Sequence, residues 1–478
     1  MKKNIYEPYE MVIGLEVHAE LKTHSKIYCG CSTAFGALPN TQCCPVCMGF
    51  PGTLPVLNEA VVSLAVKAGL ATNCRISNYA KQDRKNYFYP DLPKAYQISQ
   101  YDLPLCEAGY LQIETEAGEK KIGITRIHIE EDAGKLLHTT DGYTLVDYNR
   151  CGVPLIEIVS EPDLRSAKEA EAYLRKLRAI LIYCNVSDGK MQEGSFRCDV
   201  NLSVRKKDTE MLGTRTEMKN LNSFQSVSRA ISYEFMRQVD LLEAGEKIIQ
   251  ETRRFDQNTG KTLSMRSKEN ADDYRYFPDP DLLPIVLTES KINEIKSSIP
   301  VLPDARKMRY IEQYGLPSAD AEIIVSEKEI ADFFETAAAL TTAPRILANL
   351  LLGEVFRLLP TEETKIPLAP ARLATLSDLL AENKINYNTA KQVLNALWKK
   401  DMDPLSFIAA QDLWQITDYV YLQEIAESII AANPKIVQDY LGGKTNAFQS
   451  LMGRAMGMTG GKADPTLLQE ALQNALTK

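Results

Sequence analysis

Gly14-Leu15-Glu16-Val17-His18-Ala19-Glu20 alternates small or apolar residues with an acid, an imidazole and a second acid. Three further stretches have the same character: Arg126-Ile127-His128-Ile129-Glu130, Arg197-Cys198-Asp199-Val200-Asn201 and Arg215-Thr216-Glu217-Met218-Lys219. With a strand period of two, each places its ionisable groups on one face and mostly apolar groups on the other. A single strand of this kind is an ordinary surface strand. Four of them, mixing carboxylate, imidazole, guanidinium and ammonium, predict a sheet with a polar working face suited to metal ions and phosphates.

Outward from these stretches, the chain to about residue 290 reads as short alternating strands, Gly/Pro turns and a few helices. Strands are expected at 11–21, 121–130, 143–148, 155–159 and 195–204. Helices are expected at 58–69, at 166–183 with Ser166 as cap and Glu169 three residues on, and at 223–244, ending at Gly245. The class is α+β with a largely antiparallel sheet. From 291 onward helical periodicity dominates, interrupted by Pro300, Pro303, Pro317, Pro344 and Pro360. Residues 361–370 read as an exposed linker, and a further shift near Asp401-Met402-Asp403-Pro404 precedes short helices at 418–432, 435–441 and 446–456. The expected division is 1–290, 291–405 and 406–478.

The chain has 478 residues, too many for one core, with 45% hydrophobic and 25% charged residues and a net charge of -8. That balance argues against coating nucleic acid by charge alone, but allows a local basic groove for a folded RNA. The start lacks an apolar signal region and no run of 18 apolar residues occurs, so neither secretion nor a membrane span is expected, and a cytoplasmic location is. Ten cysteines then read as reduced thiols, some holding metal.

Cys29-x-Cys31 and Cys44-x-x-Cys47 supply two close pairs separated by a twelve-residue loop. Four thiolates so spaced fit a tetrahedral structural zinc site, with Pro45 suiting a knuckle turn. Reduced cysteines in a loop, or a redox pair, also fit, and Cys43 blurs the register. Cys74, Cys106, Cys151, Cys184 and Cys198 read as small core residues.

Only four histidines are present, which singles out His18 and His128. Glu157, within Pro154-Leu155-Ile156-Glu157-Ile158-Val159, is costly among branched aliphatics unless paired or metal-bound. Glu16, His18, Glu130 and Glu157 together match a hard divalent cation, Mg2+ or Mn2+, working with phosphates; salt bridges across a polar sheet are the plainer alternative. Glu20 and Glu131 are weaker candidates. Arg84, Lys85, Lys94, Lys135, Arg150, Arg197, Arg215 and Lys219 supply the cations that a triphosphate and a transferring phosphoryl group require. No P-loop, dinucleotide loop, nucleophile elbow or zinc-protease motif occurs. Aromatic stretches at 86–100 and 272–280 suit base stacking or plain loop packing equally.

These blocks resemble the GatB/GatE family, the B subunits of aspartyl/glutamyl-tRNA(Asn/Gln) amidotransferases. The stretches that carry the resemblance are 12–18, 83–100, 123–135, 147–165, 186–201, 217–224, 251–255 and 272–280, with the tail segment 451–465. The resemblance implies a catalytic cradle domain with a glutamine-synthetase and guanido-kinase-like fold over 1–290, including a zinc knuckle at 29–47. A helical domain at 291–405 and a YqeY-like tRNA-binding tail at 406–478 follow. It implies work within a heterotrimer whose other members are an amidase and a small wrapping protein, the family's A and C subunits. The expected reaction is ATP-dependent phosphorylation of the side-chain carboxylate of misacylated Glu-tRNA(Gln) or Asp-tRNA(Asn), then displacement by ammonia to give Gln-tRNA or Asn-tRNA. Glu16, His18, Glu130 and Glu157 would hold Mg2+. Arg150, Arg197 and Arg215 would contact ATP or acyl-phosphate oxygens, with Lys85 and Lys219 there or along the ammonia path. Cys29, Cys31, Cys44 and Cys47 would hold Zn2+. Two rivals accompany this reading: a non-catalytic subunit that only positions tRNA, and a stand-alone ammonia ligase acting on free glutamate.

Overall fold

Alternation in the quoted stretches generates a nine-stranded sheet in the computed structural model, which describes residues 4–267, 274–360, 364–444 and 446–477. The strands are β1 (Tyr9–Glu20), β2 (Arg75–Ile76), β3 (Cys106–Thr115), β4 (Gly118–Glu131), β5 (Pro154–Ser160), β6 (Phe196–Lys206), β7 (Thr216–Lys219), β8 (Glu251–Asp256) and β9 (Lys261–Ser267). They lie in the order β9-β8-β7-β6-β1-β5-β4-β3-β2, antiparallel except for the β7–β8 pair. The expected strand at 143–148 is present as Thr144–Asp147, but it pairs only with Lys135–His138, outside the main sheet.

One face of the sheet is apolar. Ile13, Leu15, Val17 and Ala19 of β1 join Ile156 and Ile158 of β5 and Cys198, Val200 and Leu202 of β6 in one core. Helices α1 (Glu59–Ala71), α2 (Ala167–Tyr183) and α3 (Phe224–Glu243) supply Val66, Leu174, Leu177 and Ile231 to the same core. Their starts are local: Asn58, Ser166 and Ser223 each accept a backbone N–H of the first turn. Glu169 supplies a displaced version of the expected reciprocal bond, accepting from Arg165 N–H at 2.7 Å rather than from the cap itself.

The far edge of the sheet is locked by a buried acid. Glu234 of α3 is fully buried and accepts from Thr216 (3.0 Å), Thr262 (2.8 Å), Gln238 (3.0 Å) and Arg237 (2.6 Å), with Arg253 at 3.4 Å. These donors pull its carboxyl below the usual range although burial opposes them. Glu234→Ala removes the acceptor shared by Thr216, Thr262, Gln238 and Arg237 and leaves Arg237 and Arg253 with Glu251, so the expected cost stays below the roughly 3–5 kcal/mol of a fully orphaned buried charge, read from the urea midpoint of the purified protein.

The chain divides into two compact units, 1–303 and 304–478. The first therefore runs past 290: helix α4 (Glu289–Ser297) buries Ile292 and Ile295 in the same core as the sheet. The second unit is helical and holds two apolar cores. One gathers Tyr310, Phe334, Leu347, Leu373 and Leu394; the other, in the last helices, gathers Leu422, Leu451 and Leu468. Pro303 and Pro344, which interrupt the helical pattern in the sequence, each occupy the first helical position, where the missing N–H costs nothing. Pro317 sits just before the Ser318–Val325 helix. Of the expected linker, residues 361–363 lie outside the described residues, and 364–369 form neither helix nor strand. No described helix is long and apolar enough to cross a membrane.

Candidate functional site

Pairing register turns the four alternations into rows across the polar face of the sheet. His18 lies opposite Glu157 on one side and Arg197 on the other, and Glu157 lies opposite His128. The side chains converge: His18 Nε2 is 3.3 Å from Glu157 and 3.7 Å from Glu130, and His128 Nε2 is 3.8 Å from each of those acids. Ser99 Oγ donates to Glu130 at 3.4 Å. Burial depresses His18, but the hydrogen bond and charge of Glu157 and the charge of Glu130 prevail and push it up to about 9. Glu157, despite burial, is held well below the usual carboxylate range by the two imidazoles and Lys85. The Nδ1 of His128 is buried and has no hydrogen-bond partner among the described residues.

Glu16 falls elsewhere. Its register partner is Asp199 on β6, whereas on β5 it faces Val159. It forms a second group with Asp199 and Glu217, their oxygens within 4.8 Å of one another. Asn201 donates to Glu16 at 2.8 Å, Thr252 to Glu217 at 2.8 Å, and Lys219 bridges Asp199 (2.7 Å) and Glu217 (3.0 Å). Burial first, then the Glu157 charge, raises Glu16, so the two groups sense each other. The single four-residue set expected from the sequence is thus two adjacent donor sets, with His18, Glu130 and Glu157 in one and Glu16 in the other.

The cations separate as well. Arg197 donates to Asp132 at 2.8 Å, and Arg150 lies 3.5 Å from the same carboxylate while donating to the Ala133 and Gly134 carbonyls at 2.9 Å each. Both arginines are therefore engaged at the Glu20 end of the face. Burial and the Asp132 charge push Glu20 up to about 8. Glu131 points away, accepting from Lys94 and from the Ile98 N–H at 2.9 Å. Lys85 Nζ lies 4.9 Å from the Tyr274 ring and 5.9 Å from the Tyr87 ring. Burial opposes its charge, but Glu130 and Glu157 raise it above its ordinary value. Residues 272–273 of that aromatic stretch lie outside the described residues. Arg215 is exposed and borders a cleft of about 250 Å³ formed with Val12, Gly14, Glu16, Ser203 and Leu212.

Asp199, Glu217, His128 and Asp132 complete the face and were absent from the expected site. The first three stand in the quoted alternations, so their face was legible; their partners were not.

Cys29, Cys31, Cys44 and Cys47 bring their sulfurs within 4.8 Å of one another. The Cys44 N–H donates to Cys47 Sγ at 3.2 Å, a knuckle contact that favours thiolate, and Cys43 turns away to Asn149 at 3.7 Å. A hydrogen bond from Cys29 pulls the Cys47 thiol down to about 4, while Cys29 itself is pushed up. Four sulfurs converging in this way fit a soft divalent cation. The facing carboxylates and imidazoles of the sheet fit a harder one.

The chain matches two family models: the GatB/GatE catalytic domain over residues 11–293 and the GatB domain over 332–476. It is 56% identical to a protein of Caldicellulosiruptor bescii over 98% of this chain and 99% of that one. It is likewise 56% identical to one of Caldanaerobacter subterraneus over 98% and 100%. A protein of Thermodesulfovibrio yellowstonii is 52% identical over 97% and 98%. Each of the three is named as the B subunit of an aspartyl/glutamyl-tRNA(Asn/Gln) amidotransferase. The chain belongs to the GatB/GatE family, the B subunits of tRNA-dependent amidotransferases.

Proposed function

We propose that this chain is the subunit that activates and amidates the side chain of misacylated Glu-tRNA(Gln) or Asp-tRNA(Asn), using ATP and ammonia released from glutamine by a partner amidase, the family's A subunit. The small C subunit makes up the heterotrimer, and the complex works in the cytoplasm. The observation that carries this reading is the pair of donor sets side by side on one sheet face. His18, Glu130 and Glu157 form one, and Glu16, Asp199 and Glu217 the other.

The chemistry asks for alignment and charge neutralisation more than for base catalysis, because the attacking carboxylate is already anionic. One carboxylate oxygen bonds to the terminal phosphorus as ADP leaves. Ammonia then attacks the acyl carbon, phosphate departs with that oxygen, and one proton is lost from nitrogen. His18, Glu130 and Glu157, with the neighbouring Glu16, Asp199 and Glu217, would hold Mg2+, which would supply charge neutralisation for the phosphate oxygens. Arg215 and the Gly14 cleft suit the nucleotide end, and Lys85 faces the opposite donor set, where the acyl group and ammonia meet. Arg150 and Arg197 orient Asp132 at the border of the face. The glutamine-synthetase-like and guanido-kinase-like fold, a structural Zn2+ in the knuckle, and a tRNA-binding tail at 406–478 belong to the same proposal.

The substrate test uses the reconstituted complex with ATP, Mg2+ and ammonium. ADP formation coupled to product with Glu-tRNA(Gln), and none with free glutamate, supports the reading; turnover of free glutamate contradicts it.

Metal loading carries its own pH signature. A cation on His18 Nε2 displaces the proton that this imidazole holds up to about 9. Apparent affinity at this set is therefore expected to rise about tenfold per pH unit below that value and to level off above it. Calorimetry in two buffers of different protonation enthalpy reads the released proton directly, and a titration with no proton release contradicts the ligand assignment.

A further inference from the structure

Lys26 is a fully buried lysine, and its place is specific. Its ammonium donates to the Gln42 carbonyl at 2.8 Å and lies 3.4 Å from the Tyr148 carbonyl and 3.7 Å from Cys47 Sγ. Among the described residues no carboxylate forms an ion pair with it. A buried ammonium without an anion is costly, and of its three hydrogen-bond partners only the Cys47 sulfur can carry negative charge. Four thiolates around one divalent cation carry a net charge of two minus, so the neighbouring cation and the buried centre answer each other.

The same ammonium bridges two segments. Gln42 belongs to the knuckle, and Tyr148 opens the 148–152 loop. Asn149 accepts from the Gln42 N–H at 2.8 Å and donates to the Leu38 carbonyl at 2.7 Å, and Cys151 donates to the Cys47 carbonyl at 3.4 Å. Between them stands Arg150, which meets Asp132 at the edge of the polar sheet face.

We infer that Lys26 is a positioning residue of the four-cysteine centre: its ammonium offsets part of the charge of a metal-bound tetrathiolate and fastens that centre to the loop carrying Arg150. This rests on the reading of those cysteines as a zinc site. Hydrogen bonding to a metal-bound sulfur lowers its nucleophilicity, so the chain's own lysine shields Cys47 from electrophiles and keeps the metal in place.

The test compares the native amidotransferase complex with a complex carrying Lys26→Met, which keeps length and removes charge. Zinc content is measured by mass spectrometry, and zinc release under N-ethylmaleimide is followed with a chromogenic chelator. Release about tenfold faster or more in the variant is expected, the factor attached to a lost hydrogen bond to a charged group. In cobalt-loaded complexes the sulfur-to-cobalt band should move to lower energy, because the sulfur electrons are less strongly held. Equal release rates and unshifted bands overturn the inference while leaving the zinc reading intact. A native complex with no metal at the four cysteines overturns both.

If Lys26→Met does not fold, the native complex still decides. Reductive methylation should spare Lys26 with zinc present and modify it once zinc is stripped, since loss of the metal releases the knuckle that buries the ammonium. Equal modification, or equal protection, in the two states overturns the inference.

Discussion

Glu157→Gln is expected to lower ammonium-dependent amidation of Glu-tRNA(Gln) by about 10²-fold or more, the scale of losing a preorganised electrostatic group at a phosphoryl centre. The carboxylate lies 3.3 Å from His18 and 3.8 Å from His128, and its hydrogen bond and charge, together with the Glu130 charge, hold His18 up to about 9 against burial. Glutamine keeps the volume and removes the charge, so the set loses one of its anionic donors. Glu130 still faces both imidazoles. The loss of fold stability should therefore stay below the roughly 3–5 kcal/mol of a fully orphaned buried charge. ATP turnover and Gln-tRNA formation should fall together while tRNA binding persists. Unchanged turnover in a folded variant leaves Glu157 as a structural carboxylate and restores the tRNA-positioning scaffold as the better account.

The second large effect is expected at the knuckle. The double variant Cys44→Ser, Cys47→Ser should lose the bound zinc completely and make residues 29–47 the first site of proteolytic cleavage. Structural zinc sites carry apparent binding energies of about 10–16 kcal/mol in isolated fingers, and that energy is folding energy for the loop they close. Hydrogen bonds through Asn40, Asn149, Cys151 and Lys26 also tie the loop to the 147–152 segment. Limited proteolysis with and without chelator checks this. A variant with the native cleavage pattern and no metal would show that hydrogen bonds alone hold the knuckle.

The parity of the sheet was open to reading in the sequence because a period of two leaves no freedom about which residues share a face. Glu16, His18 and Glu20 had to lie on one side of β1 whatever surrounded them. What sits opposite them was not open to reading. Asp199 meets Glu16 only because β1 pairs with β6, some 180 residues away along the chain, and no local pattern states that pairing. For the same reason Arg150 and Arg197 were recognisable as cations on the working side, but their common partner Asp132 was not. Cys43 shows the converse case: spacing left three thiols competing within 43–47, and the Asn149 side chain settles which one turns away. Which core the first helix after 290 joins was not open to reading, because α4 is helical like the unit that follows, whereas its Ile292 and Ile295 pack into the core of the sheet. Helical periodicity reports a helix, not the core it joins.

The most direct measurement follows an oxygen atom. Glu-tRNA(Gln) labelled with 18O in its side-chain carboxylate is converted by the reconstituted complex with ATP, Mg2+ and ammonium, and the inorganic phosphate is analysed by mass spectrometry. One labelled oxygen is expected in phosphate for each Gln-tRNA formed, with both products lost together in Glu157→Gln. Gln-tRNA formed without label in phosphate, or full label transfer by the Glu157→Gln complex, would contradict phosphorylation of the carboxylate at this centre.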